Sequence, residues 1–187
     1  IAGEYDIQER HMHLSKLPVF LENQKKGNYT VRLDPGLNGS DVALHLGMAY
    51  DADPEIGKLL RTKDFRHALA LGIDREQLNE AFWLGVGTAG SVAPAPDTIY
   101  SPGPEWNKKW GVLDLKQANE LLDKVGLAKK DGEGYRLRQD GKGRLRLEMV
   151  TVGGQFVPYT QVGEMIKQQW KKIGIDVDIK EPERNLA

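Results

Sequence analysis

The stretch from Arg144 to Ile179 constrains this chain more than any other. Leu145 and Leu147 alternate with Arg144 and Arg146, the two-residue period of a strand with one buried face. Val162, Met165, Ile166, Trp170 and Ile173 then recur at helical spacing, and Gly174 ends that run. Ile175, Val177 and Ile179 return to the strand period, with β-branched side chains that suit a pleated surface. Strand, helix and strand in this order predict a right-handed βαβ unit.

Upstream, helix starts are marked by capping residues. Asp53-Pro54 pairs an N-cap with a proline at the first helical position and predicts a short helix to about Arg61. Asp64 is the expected cap of a second helix carrying Phe65, Ala68 and Leu69. Asp74 with Gln77 has capping-box spacing for a third, with Leu78, Ala81 and Phe82 as its apolar stripe. Asp114 with Gln117 repeats that spacing ahead of Ala118, Leu121, Leu122 and Val125, and Gly126 is the stop. Nearer the start, Pro18 opens a helix with Leu17, Phe20 and Leu21 on one side and Gly27 at its end. Asn28 to Leu33 and Asp41 to Met48 alternate like strands, the latter with Val42, Leu44 and Leu46 on one face. Between them, Pro35, Gly36, Asn38 and Gly39 mark a turn. Tyr135–Arg138 and Arg144–Val152 read as a hairpin around Asp140-Gly141. Residues 85–110 hold Pro94, Pro96, Pro102 and Pro104 and cannot form one regular helix. Val92, Ile99, Tyr100 and Trp106 are the expected apolar anchors of that loop against the surface.

The chain has 187 residues, 40% hydrophobic and 28% charged, with a net charge of −1. That suits one domain with a core and offers no basic excess for nucleic acid. The absence of cysteine excludes disulfides and thiolate-bound zinc. No apolar run reaches the roughly 18 residues that a membrane-spanning helix needs. The chain opens on Ile1 rather than Met, so a piece of something longer is expected.

Each candidate chemical motif also has a plainer reading. Gly85-Val86-Gly87-Thr88-Ala89-Gly90 matches the dinucleotide fingerprint, but a helix is expected before it and a proline-rich loop after it, the reverse of the required context. A helix exit needing positive φ explains it better. His11 and His13 are too few for a metal site, with His45 and His67 on other elements. Asp131, Glu133, Asp140 and Gly141 lack calcium-loop order and suit turns. Arg136, Arg138, Arg144 and Arg146 share one hairpin face, expected to be solvated rather than a nucleic-acid surface. Trp83 and Trp170 are expected in the core. No nucleophile elbow, phosphate loop or metalloprotease motif is present, so no enzyme, no cofactor and no metal are expected.

At Asp64 to Asn79 the chain gains a resemblance. Asp64-Phe65-Arg66-His67-Ala68-Leu69 with Gly72-Ile73-Asp74-Arg75-Glu76-Gln77-Leu78 is similar to the "FRxALxxAIDRexl" segment of the family 5 extracellular solute-binding proteins. Ala2–Asp6, Asp114–Gly126, Asp140-Gly141-Lys142 and Trp170–Val177 resemble further segments of that family, in its order. The departure is at Asn38 to Ala52, where Leu44-His45-Leu46-Gly47 replaces the family's asparagine near a proline.

The resemblance implies an α/β (α+β) fold, with helices packed on a small mixed sheet. It would be the second lobe of a two-lobed, periplasmic-binding-protein-like architecture. Residues 1–187 would form a single domain cut from a larger protein, lacking most of the first lobe and an acidic, Trp-containing segment further on. The implied function is capture of a peptide or similar small solute for an ABC importer, with the permease subunits as protein partners. The protein would be a monomer, periplasmic or extracellular, and lipoprotein-anchored in its full-length form. Gly153, Gln155, Phe156 and Tyr159 are the residues expected to line the solute cleft. The alternative reading is an interaction module that docks the permease or another protein through the 85–110 loop.

Overall fold

The structure is a computed structural model that describes all residues except 1–3, 10–11, 35, 37–38, 154–156 and 183–187. The predicted βαβ unit is its spine. Strand β1 (Arg146–Val150) pairs in parallel with β2 (Asp176–Lys180), Leu147 opposite Val177 and Met149 opposite Ile179. Helix α8 (Tyr159–Lys171) makes the crossover and buries Val162, Ile166 and Trp170. Gly174, at φ +79°, turns the chain from α8 into β2, where a Cβ would come within 2.8 Å of the Gly134 carbonyl. The outward face of the pair carries the ion pairs Arg146–Asp176 and Glu148–Lys180. Among the described residues the sheet is this one parallel pair rather than the mixed sheet expected; the antiparallel bridges Lys130–Arg136 and Leu137–Arg144 stand outside it as isolated pairs, so the expected hairpin is present but short.

Among the described residues, seven further α-helices run in chain order: α1 (Leu17–Glu22), α2 (Gln24–Gly27), α3 (Pro54–Arg61), α4 (Lys63–Leu71), α5 (Arg75–Trp83), α6 (Pro104–Lys108) and α7 (Leu115–Leu122). Three caps form as expected. The Asp53 carboxylate accepts from Glu55 and Ile56 N–H, Asp74 from Gln77, and Asp114 from Gln117. The fourth does not: α4 starts two residues earlier, at Lys63 with Thr62 in the N-cap position, and Asp64 lies inside its first turn, ion-paired with Lys124 at 2.7 Å. The apolar stripe of α5 runs through Leu78, Phe82 and Trp83, while Ala81 faces solvent. Gly126, at φ +89°, breaks the wide turn that follows α7.

Phe65, Leu69, Leu122, Leu127, Leu145, Trp170, Ile173 and Ile175 form the centre of the core. Trp170 is buried, and its indole N–H donates to Leu69 O at 2.9 Å, fastening α8 to α4. Trp83 is only half-buried.

The strands expected at Asn28–Leu33 and Asp41–Met48 do not form. Alternation fixes which way side chains point, but a strand also needs a partner for its backbone. Tyr29 N–H instead closes back onto Gln24 O, and Val31 N–H onto the Gln24 side chain. In the second segment Val42 and Leu46 pack on the core, yet the Arg61 guanidinium takes the Met48 and Tyr50 carbonyls that a neighbouring strand would have used.

The 85–110 loop also departs from expectation. Its apolar residues are not anchors: Ile99 is 90%, Tyr100 79% and Val92 68% exposed, and Trp106 is exposed as well. The loop is held instead by polar and aromatic contacts at its base. Asn79 bonds both the N–H and the carbonyl of Gly87, Ser91 bonds Asn107 and Trp106 carbonyls, and Trp110 stacks on His67 with centroids 3.6 Å apart. Leu84 (φ +55°) and Gly85 (φ +71°) carry the exit from α5, so the glycine-rich run follows a helix, as the plainer reading has it.

Candidate functional site

In a parallel strand pair joined by a crossover helix, the carboxyl ends of both strands and the amino end of the helix converge. Here that point is built by Thr151 and Gly153 after β1, Tyr159 and Thr160 opening α8, and Glu181 after β2. Thr151 N–H donates to Lys180 O at 2.8 Å, prolonging the ladder by one pair. The hydroxyls of Thr151 and Thr160 lie 2.9 Å apart, and Thr160 donates to the Glu181 carboxylate. The glycine at 153 lets the chain pass that carboxylate: a Cβ would come within 2.5 Å of Glu181 Oε1. Pro158 stands at the N-cap of α8 and offers no side-chain acceptor, so the first turn of a 13-residue helix faces this point uncapped. Its partial positive charge favours the nearby Glu181 carboxylate.

Of the four residues expected to line a cleft, Gly153 lies on the β1–α8 connection and Tyr159 opens α8, each half-buried. Gln155 and Phe156 lie outside the described residues. Thr151, Thr160 and Glu181 were missed. Their signal was present in the predicted topology, because a parallel pair places the residue after one strand beside the residue after the other.

The arginines belong to a different structure. Arg136, with only 1% of its side chain exposed, is not on a solvated face. Its guanidinium donates to Ile173 O (2.8 Å), Leu127 O (2.6 Å), Asp123 Oδ1 (2.5 Å) and Asn119 Oδ1 (2.7 Å). It gathers the ends of α7 and α8 onto the hairpin. Arg138 is largely buried too, with bonds to both oxygens of Asp53 and both of Asp140. That bond holds the Asp140 carboxyl down at about 2 and lowers Asp53 as well. Burial works to raise Asp131, but bonds from Tyr135 N–H and Arg144 outweigh it and leave its carboxyl low. Only Arg146 is well solvated. A single-face pattern of arginines therefore reads here as internal clamps: the helices and turns packed beside the short hairpin bring carboxylates and carbonyls to them. Burial lowers the pKa of His67, with Lys63 adding to it.

Among the described residues, no group of three or more His, Asp or Glu side chains is placed to hold a metal ion, and no helix is long and apolar enough to cross a membrane.

These features can be set beside known proteins. The family model described as "Bacterial extracellular solute-binding proteins, family 5 Middle" matches residues 1–186. A periplasmic alpha-galactoside-binding protein of Rhizobium meliloti (strain 1021) is 29% identical over 95% of this chain. A solved oligopeptide-binding protein OppA matches 99% of the chain at 36% identity with a TM-score of 0.82. The oligopeptide-binding protein of Thermus thermophilus, solved with a pentapeptide, matches 65% of it at 30% identity and a TM-score of 0.53. The chain spans 27% of the Rhizobium protein, 29% of that OppA chain and 20% of the Thermus one. The fold is thus the α/β arrangement of OppA-type periplasmic binding proteins, and the chain belongs to the family 5 bacterial extracellular solute-binding proteins.

Proposed function

We propose that this chain is one lobe of the solute-binding component of an ABC importer. It captures a peptide or similar small solute where β1, β2 and the start of α8 converge. The observation that carries the reading is the position of Gly153 on the β1–α8 connection and of Tyr159 at the start of α8, beside the carboxyl ends of a parallel pair, in a chain of a solute-binding family. Open α/β sheets bind ligands at such a point. Gly153, Gln155, Phe156 and Tyr159 line the cleft on this reading. Residues 1–187 act as a single unit of a larger two-lobed protein, and affinity comes from closure of the second lobe over the solute. Capture makes and breaks no bond, so the protein is not an enzyme. It works as a monomer on the periplasmic or extracellular side, tethered in its full-length form as a lipoprotein, and hands solute to the permease subunits.

Phe156→Ala and Tyr159→Ala in the full-length protein test the site. Each is expected to weaken solute binding, measured by calorimetry with the ligand identified by mass spectrometry of the purified protein. Parental affinity in correctly folded variants overturns the assignment. The isolated chain is expected to bind solute far more weakly than the full-length protein, since half of the cavity is supplied elsewhere. Micromolar binding by the fragment alone, about −8 kcal/mol, contradicts the two-lobe reading.

A further inference from the structure

Where β1, β2 and the start of α8 converge, the two threonine hydroxyls have already spent their hydrogens. Thr160 gives its one hydroxyl hydrogen to the Glu181 carboxylate. In the 2.9 Å contact between the two hydroxyls, Thr151 is therefore the donor and Thr160 the acceptor. What this chain of groups has left to offer is lone pairs. Glu181 Oε1 accepts no hydrogen bond among the described residues. It lies beside the Gly153 backbone, 2.5 Å from where a Cβ would stand.

The charge of Glu181 is not cancelled by a neighbouring side chain. Lys180, the residue before it, is ion-paired with Glu148 on the outward face of the strand pair, and among the described residues no cation pairs with Glu181. Its compensation is the first turn of α8, which no side chain caps. Such a helix end ordinarily draws an anion. Here the protein supplies that anion itself, so a solute carboxylate would meet a group of like charge. A positive group would meet a charged acceptor with one oxygen to spare. A neutral hydroxyl could reach the same oxygen but brings no charge to balance it.

Granted the solute site proposed above, we infer that Glu181 is a specificity-determining residue of that site. It selects solutes that bring a positive group there, an ammonium or guanidinium, and disfavours those that bring a carboxylate.

The test is calorimetry on the full-length protein with trilysine, trialanine and N-acetyl-trialanine. The parent is expected to bind at least one of the two cationic peptides about tenfold more tightly than N-acetyl-trialanine, which has no positive group. Trilysine alone ahead assigns the positive group to a side chain; trialanine ahead as well assigns it to the amino terminus. Glu181→Gln keeps an oxygen for the Thr160 hydroxyl and removes the charge. It should bring the cationic peptides down to the level of the acetylated one, with a parental thermal melt because Glu181 is exposed. A mere brace for Thr160 would change all three affinities together or none of them. Parental preference in Glu181→Gln therefore overturns the inference. So does a parent that binds N-acetyl-trialanine as well as the other two, or binds none of the three. Tyr159→Ala is measured alongside. Weaker binding by Tyr159→Ala with Glu181→Gln unchanged overturns the role of Glu181 alone, and parental binding by both variants overturns the solute site itself.

Discussion

The βαβ unit and the 85–110 loop are both rich in apolar residues, and the structure uses them in opposite ways. In the βαβ unit, period and burial agree: Leu145, Leu147, Val162, Ile166, Trp170, Ile173, Ile175 and Val177 are all inside. In the loop, Val92, Ile99 and Tyr100 are outside, and the order comes from Ser91, Asn79, Asn107 and the His67–Trp110 stack. Apolar side chains organise a segment only where a repeating backbone period lets them share a face. Where prolines break the period, side-chain-to-backbone bonds carry the shape and the apolar groups become surface.

The contrast is broken first at its strongest point. Trp170→Ala should cost about 3–5 kcal/mol by removing a buried ring and the bond to Leu69 O, read as a lower urea midpoint. Arg136→Ala should cost about 3 kcal/mol, because it leaves the Ile173 and Leu127 carbonyls without their donor in the interior. A loss under about 1 kcal/mol would mean that water replaces the guanidinium. The cap Asp74→Ala should cost about 1 kcal/mol. Arg138→Gln changes the response to pH. Its partner Asp140 has a carboxyl pKa depressed from 3.8 to about 2. The stability this contributes is present above 3.8 and is lost as pH falls through about 2. The variant should therefore show a shallower loss of stability across that acid window, followed by circular dichroism. At the weak end, Ile99→Ser in the loop should leave stability within about 0.5 kcal/mol of the parent. A larger loss would place Ile99 against a surface and erase the distinction between the two regions.

The same distinction explains what the sequence made legible. Caps at Asp53, Asp74 and Asp114 and the helix exit at Gly85 are local: the residues that decide them lie within a turn of one another, and each element of the βαβ unit carries its own local period. The family segment around Phe65 and Arg66 likewise pointed to the right relatives. What could not be read depends on distant partners. The Arg136 and Arg138 clamps need Asp123, Asn119 and Asp53, brought up by other elements. The strand-like segments at Asn28 and Asp41 were decided by Gln24 and Arg61 side chains that satisfied their backbones first. At the site, Gly153 and Tyr159 were named through resemblance. Thr160 and Glu181 became visible only when the second strand was laid beside the first.

One contact joins these scales. The capping box at the start of α5 is incomplete in its own helix. Asp74 caps Gln77 N–H, but the returning partner for Asp74 N–H is the Gln169 side chain of α8, at 3.0 Å, and Gln169 also donates to Asp74 O and to the Gln77 side chain. A helix end that closed on itself could fray alone. This one is held by a buried residue 95 positions away, so the Asp74 amide can exchange its hydrogen with solvent only when α8 lifts off. The first turn of α5 thus reports, one amide at a time, on the opening of the βαβ unit that carries the proposed site.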